Sequence, residues 1–227
     1  MDTGARILMR TDCRSYDALL TLTQWFSPSF PIGAFSYSHG LEWVVQAGDV
    51  HDFDSFRQWL TDVVQHGAGR CDLILLAEAY RALSSTELLD INALARALSP
   101  SSERLLEISQ QGSAFSKTVS DVWGLGLPEL TLPVAVGAAA KAQELPLNTT
   151  AVMFLHAFAS SLTSAAIRLV PMGQTEGQRC LAALTPLIAK TAHTAIQKSI
   201  DDIGSAVFAV DIASMRHEAQ YSRMFRS

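Results

Sequence analysis

Charge is scarce in this chain: 17% of its 227 residues are Asp, Glu, Lys or Arg, and the formal net charge is -5. Binding to phosphate backbones or anionic lipid is driven by clustered cations, so neither nucleic acid nor a membrane surface is an expected partner. Cysteine is scarcer still. Cys13, Cys71 and Cys180 are odd in number, widely spaced and never arranged as CxxC. That pattern argues against a disulfide framework or a cysteine zinc site and fits a reducing compartment. Long hydrophobic runs are missing too: stretches such as residues 73–77 are far too short to cross a bilayer, and the N-terminus has no sustained apolar segment of the signal-peptide kind. The expectation is a cytoplasmic protein that does not span a membrane.

The familiar catalytic signatures are also absent. No GxxxxGK[ST] loop cradles phosphate, and no GxSxG turn presents a serine. His217 and Glu218 begin like a zinc-protease helix, but Tyr221 stands where the second ligand belongs. The other histidines, His39, His51, His66, His156 and His193, are never spaced to share a helical face, and each reads as a surface or hydrogen-bonded residue. Asp201 and Asp202 sit where a helix start favours negative charge. Neither a metal site nor a cofactor is expected.

What the chain does have is apolar material, 48% of its residues. With so little charge, this predicts one core plus extra surface buried between subunits, hence an oligomer or complex. The periodicity is helical almost throughout, which predicts an all-α domain of about ten helices over residues 15–227, after a flexible segment at 1–14. The best stripe is Phe53, Phe56, Trp59, Leu60, Val63 and Val64, capped by Asp52 or Asp54 and ended by Gly67 and Gly69. Further helices are predicted through Tyr80, and from Leu88 to Leu98. After Ser101 or Ser102 as a cap, another should turn Leu105, Leu106, Ile108 and Phe115 inward. The small residues of 133–145 predict a central helix that a neighbour approaches closely, with proline in its first turn. Three more are expected over about 149–170, 175–198 and 201–224.

Three segments stand out. Residues 27–42, SPSFPIGAFSYSHGLE, combine Pro28 and Pro31 with Gly33 and Gly40, a stiffened and sharply turned loop that Phe30, Phe35 and Tyr37 can anchor. It serves either as a rigid corner or as a binding surface carrying Ser36, Tyr37, His39 and Glu42. In residues 162–178, Arg168 interrupts an apolar helix before a Pro-x-Gly break, so it either reaches solvent or pairs with a carboxylate, and Gln174 and Gln178 follow as uncharged partners. The terminus, RHEAQYSRMFRS, places His217, Tyr221, Met224 and Phe225 on one stripe if helical. Such a segment must dock on its own domain or on another protein, and the pattern alone favours the former.

Together these segments, with LPVAVG at 132–137, resemble the urease accessory protein UreF family, in the same order along nearly the whole chain. The resemblance implies an all-α protein that is not an enzyme and that forms a homodimer. It further implies a scaffold bridging UreD (also called UreH) to the GTPase UreG so that nickel reaches apo-urease. It also implies that the C-terminal segment orders against UreD, which replaces self-docking as the expectation. His217, Tyr221, Arg223, Met224, Phe225 and Arg226 become the candidates for that contact. Pro31, Gly33, Ser36, Tyr37, His39, Glu42, Arg168, Gln174 and Gln178 become candidates for dimerisation or for gating UreG. The rival reading is a helical enzyme whose acid-base pocket gathers Tyr37, His39, Glu42 and Arg168.

Overall fold

The structure is a computed structural model describing residues 15–227, so the expected flexible segment 1–14, Cys13 included, lies outside the described residues. Helices make up its regular structure and no strand occurs among those residues. In chain order they are α1 (residues 15–25), α2 Leu41–Ala47, α3 Phe53–His66, α4 Ala68–Arg81, α5 Ser85–Ala97, α6 Ser102–Trp123, α7 Leu132–Ala142, α8 Leu147–Leu169, α9 Gln174–Ala195 and α10 Phe208–His217. Short 3-10 turns occupy Ala34–Ser36 and Ile200–Asp202. Cys71 and Cys180 are free.

Local chemistry explains most boundaries. Asp52 accepts the backbone N–H of Ser55 and caps α3, and Ser84 and Ser101 do the same for α5 and α6. Gly124, at φ 69°, ends α6 in the left-handed conformation that favours glycine. Gly69 does not end α3 as expected; it lies in the first turn of α4, wedged against Val64 and Leu155.

The centre is α7 against α4. Residues 133–140 of α7 are all buried, and a Cβ built on Gly137 would meet the carbonyl oxygen of Leu76 at 2.2 Å. Small side chains let the two backbones touch, as their composition predicts. Around this pair the buried apolar residues form a continuous core from Leu22 to Phe225, closed at one end by Trp25 edge-on to Phe115 and Trp123 at 5.3 and 5.8 Å. Helix α8, 23 residues long, is apolar enough to cross a membrane by length and composition, although its apolar runs are individually short. It packs here against α9 and α4, with half of its most apolar window buried.

Two expectations fail in instructive ways. Leu106 of α6 is exposed, whereas Glu103, Arg104 and Glu107 are buried because ion pairs inside the fold neutralise them, and Gln111 is buried beside them, donating to Glu107. The last helix covers ten residues instead of 201–224: Ser199 and Asp202 close a capping box around a 3-10 turn, Arg70 binds the carbonyls of Asp202 and Gly204, and α10 starts only at Phe208.

Candidate functional site

The loop before α2 turns at three positions. Gly33, His39 and Gly40 all have positive φ, at 71°, 57° and 76°. At Gly40 there is also no room, since a Cβ would meet the Ser214 backbone of α10 at 2.8 Å. Phe30 and Tyr37 anchor the loop inward, and the Tyr37 hydroxyl donates to Gln110 at 2.7 Å. Phe35 does not anchor it; it stands 73% exposed.

Against this loop lies the C-terminal tail, residues 218–227. It is not helical, so the expected stripe is divided: His217 and Phe225 are buried, whereas Tyr221 is fully exposed and Met224 more than half so. The tail docks through backbone. The N–H groups of Met224 and Phe225 donate to the two oxygens of Glu42 at 2.7 and 2.9 Å. Arg226 donates its N–H to the Ser36 carbonyl at 2.8 Å, and the Ser38 N–H and hydroxyl both donate to the carbonyl of Ser227. Phe225 slides under Arg168, whose guanidinium lies 4.5 Å from the ring centroid and donates to the Phe35 carbonyl. Arg168 is exposed to solvent, one of its two expected placements, and in place of a carboxylate it meets an aromatic face.

Beneath the tail runs a buried polar seam. His217, fully buried, presents Nδ1 to Glu103 at 2.6 Å and Nε2 to Glu42 at 3.2 Å, and Arg223 reaches the other oxygen of Glu103 at 2.6 Å. Next to Glu103 on α6, Arg104 joins Asp72 of α4 to Glu107 one turn further along. Burial works to raise the Glu107 carboxyl, but Arg104 outweighs it, helped at 3.8 Å by the field of His39, and holds it at about 2. Burial pushes Asp72 up, and Arg104 only partly offsets this. Arg104 itself is held above its ordinary range: burial would lower it, but its two carboxylate partners prevail.

Beside the seam is a cavity of about 460 Å³. Trp25, Phe30, Phe154 and Phe158 give it an apolar wall, Tyr37, Arg104 and Glu107 a polar one, and Gln174 and Gln178 lie among its lining. Of the four residues proposed for acid-base work, Tyr37 alone lines it; His39 stacks edge-on against Phe158, Glu42 holds the tail and Arg168 covers Phe225. Burial raises the Tyr37 hydroxyl, away from a role as an acid near neutrality. Pro31, Gly33, Gln174 and Gln178 are partly or well exposed.

Sequence reasoning missed Asp72, Glu103, Arg104, Glu107 and Gln110. A signal existed: Arg104, Glu107, Gln111 and Phe115 share one helical face, so α6 has an inward stripe that includes charge.

A family model described as UreF matches residues 50–185. The chain is 51% identical over 223 residues to the urease accessory protein UreF of Roseobacter denitrificans, covering 98% of each. Its similarity to the protein of that name from Ruegeria pomeroyi is 52% over 209 residues, covering 92% of this chain and 96% of the other. For that of Cereibacter sphaeroides it is 52% over 210 residues, covering 92% and 99%.

Proposed function

Since this chain belongs to the UreF family of urease accessory proteins, we propose that it acts in urease maturation as a dimeric scaffold. In this reading it bridges UreD/UreH to the GTPase UreG while nickel passes to apo-urease, and the chemistry belongs to its partners. The observation that carries the reading is the tail, which is tied down through its own backbone and turns its most exposed aromatic residue, Tyr221, to solvent. A tail fixed in this way loses little further conformational freedom when a partner covers it.

The proposed contact with UreD divides into two kinds of residue. Tyr221, Met224, Arg223 and Arg226 have exposed surface to offer, and Phe225 seats the tail from below. Phe225→Ala is expected to weaken capture of UreD by about 2 kcal/mol or more, roughly thirtyfold in affinity. Capture of UreD by this variant at wild-type strength, in a titrated pull-down with purified partners, would show the assignment to be wrong.

Pro31, Gly33, Ser36, Gln174 and Gln178 supply the proposed surface for a second copy or for UreG. Gating of a GTPase by a scaffold requires that the scaffold bind its nucleotide states unequally. UreG is therefore expected to bind the assembled complex with different affinities when loaded with GTP, loaded with GDP, or empty, as read by calorimetry. Equal affinities would remove the basis for gating.

A further inference from the structure

The scaffold reading draws on the cavity only at Gln174 and Gln178, the two exposed glutamines of its lining, and leaves the buried wall without a role. We propose that the cavity is a binding site for a small organic ammonium: a charged primary amine on an aromatic or other apolar body.

The hydrogen-bonding ends that the wall leaves over point to this class. Asp72 lines the cavity from α4 and is 8% exposed; its Oδ2 accepts from Arg104, while its Oδ1 accepts from nothing among the described residues. Gln111 of α6, 5% exposed, lines it too. Its amide nitrogen donates to Glu107 at 3.5 Å, so the carbonyl oxygen is the end left over. Both leftovers are acceptors. The donors on the same wall are already committed, the Tyr37 hydroxyl to Gln110 and the Arg104 guanidinium to Asp72 and Glu107. A ligand that satisfies this wall must therefore bring donors of its own.

Charge decides what kind of donor. Asp72 and Glu107 are two carboxylates against the one guanidinium of Arg104, and His39 stands nearest Glu107, at 3.8 Å. Asp72 is the carboxyl left short of a cation, which is why burial raises it whereas Glu107 is held low. An ammonium at Oδ1 supplies what Arg104 alone does not. The rings of Trp25, Phe30 and Phe154 also line the cavity, and aromatic rings accept both an apolar body and a cation. Its volume of about 460 Å³ is that of a small-molecule site. A metal ion fits less well, since among the described residues no group of three or more His, Cys, Asp or Glu could hold one.

The test needs only the isolated full-length chain, so it succeeds or fails separately from the scaffold reading. Benzylamine, benzyl alcohol and benzoate share one ring and differ in the charge of the head group, and titration calorimetry at neutral pH would compare them. Benzylamine is expected to bind about tenfold or more tighter than benzyl alcohol, with benzoate weakest. Asp72→Asn keeps the shape and an acceptor for Arg104; it should abolish that preference and leave benzyl alcohol unchanged. Gln111→Met should reduce the preference by about threefold or more. A blocked lysine amide carries the same ammonium on a flexible aliphatic stem and should bind more weakly than benzylamine. The reverse order would mean that the cavity takes a partner's lysine and not a free amine, against the proposal. Equal affinities for the ring compounds, no binding of benzylamine, or a preference that Asp72→Asn leaves intact would overturn the site. Should Asp72→Asn fail to fold, as judged by its urea melt, the Gln111→Met titration decides in its place.

Discussion

Arg104→Met is expected to lower the free energy of unfolding by about 3–5 kcal/mol at neutral pH, the range found when one member of a buried ion pair is removed. Arg104 and its partners Asp72 and Glu107 are all nearly inaccessible, and the variant strands two carboxylates in the interior beside the cavity. A domain of ordinary stability has only about 5–15 kcal/mol in all, so the loss would be plain in urea melts. Acid should erase the difference. Glu107, held down from 4.5 to about 2, contributes up to about 3 kcal/mol of stability that is complete above its unfolded value and vanishes as pH falls toward 2. Asp72, raised by burial, works in the opposite sense, so the acid loss in the wild type rests on Glu107. Without Arg104, burial alone acts on both carboxyls and raises them, so the deficit of the variant should begin to shrink above the ordinary carboxylate range and keep shrinking as pH falls. A deficit that stays constant down to about pH 3 would show that packing, and not charge, is what Arg104 supplies.

The second large effect belongs to Gly137→Ala, expected to cost about 3 kcal/mol, at the upper end for overpacking, and to lower the melting temperature by about 10 °C. The added methyl would fall 2.2 Å from the carbonyl oxygen of Leu76, and that atom belongs to a helix backbone which cannot rotate aside. Relief requires α7 to move away from α4, which opens the most extensive helix contact in the fold. A control at Gly33, where a new Cβ meets nothing, would isolate strain of positive φ from steric conflict. A melting point for Gly137→Ala within a degree or two of wild type would mean that α7 sits on α4 more loosely than this geometry requires.

The place of the polar seam in the molecule accounts for what sequence reading could and could not recover. The helices were legible because apolar residues at a 3.6-residue spacing, serine and aspartate caps, and glycine or proline stops are local signals. The α3 stripe and the small-sided α7 illustrate this, since their own residues determine both their shape and their inward face. The same local logic sent Leu106 inward and offered Arg168 only solvent or a carboxylate. What it lacked lies far away in sequence: Asp72 with Arg104, and Phe225 with Arg168, are brought together only by the packing of helices.

The terminus shows the division most clearly. Its aromatic and basic residues, and their likeness to a family, marked it as a contact segment without any coordinates, and the all-α class followed from periodicity alone. Whether those residues would form one stripe was a tertiary matter. Glu42, more than 180 positions before Phe225, captures the tail's backbone amides and thereby separates a buried His217 and Phe225 from an outward Tyr221 and Met224. Spacing along a chain encodes which face a residue takes only while the chain stays helical. Once a distant carboxylate replaces the helix's own carbonyls as acceptor, three-dimensional proximity decides which side chains are hidden and which are left for a partner.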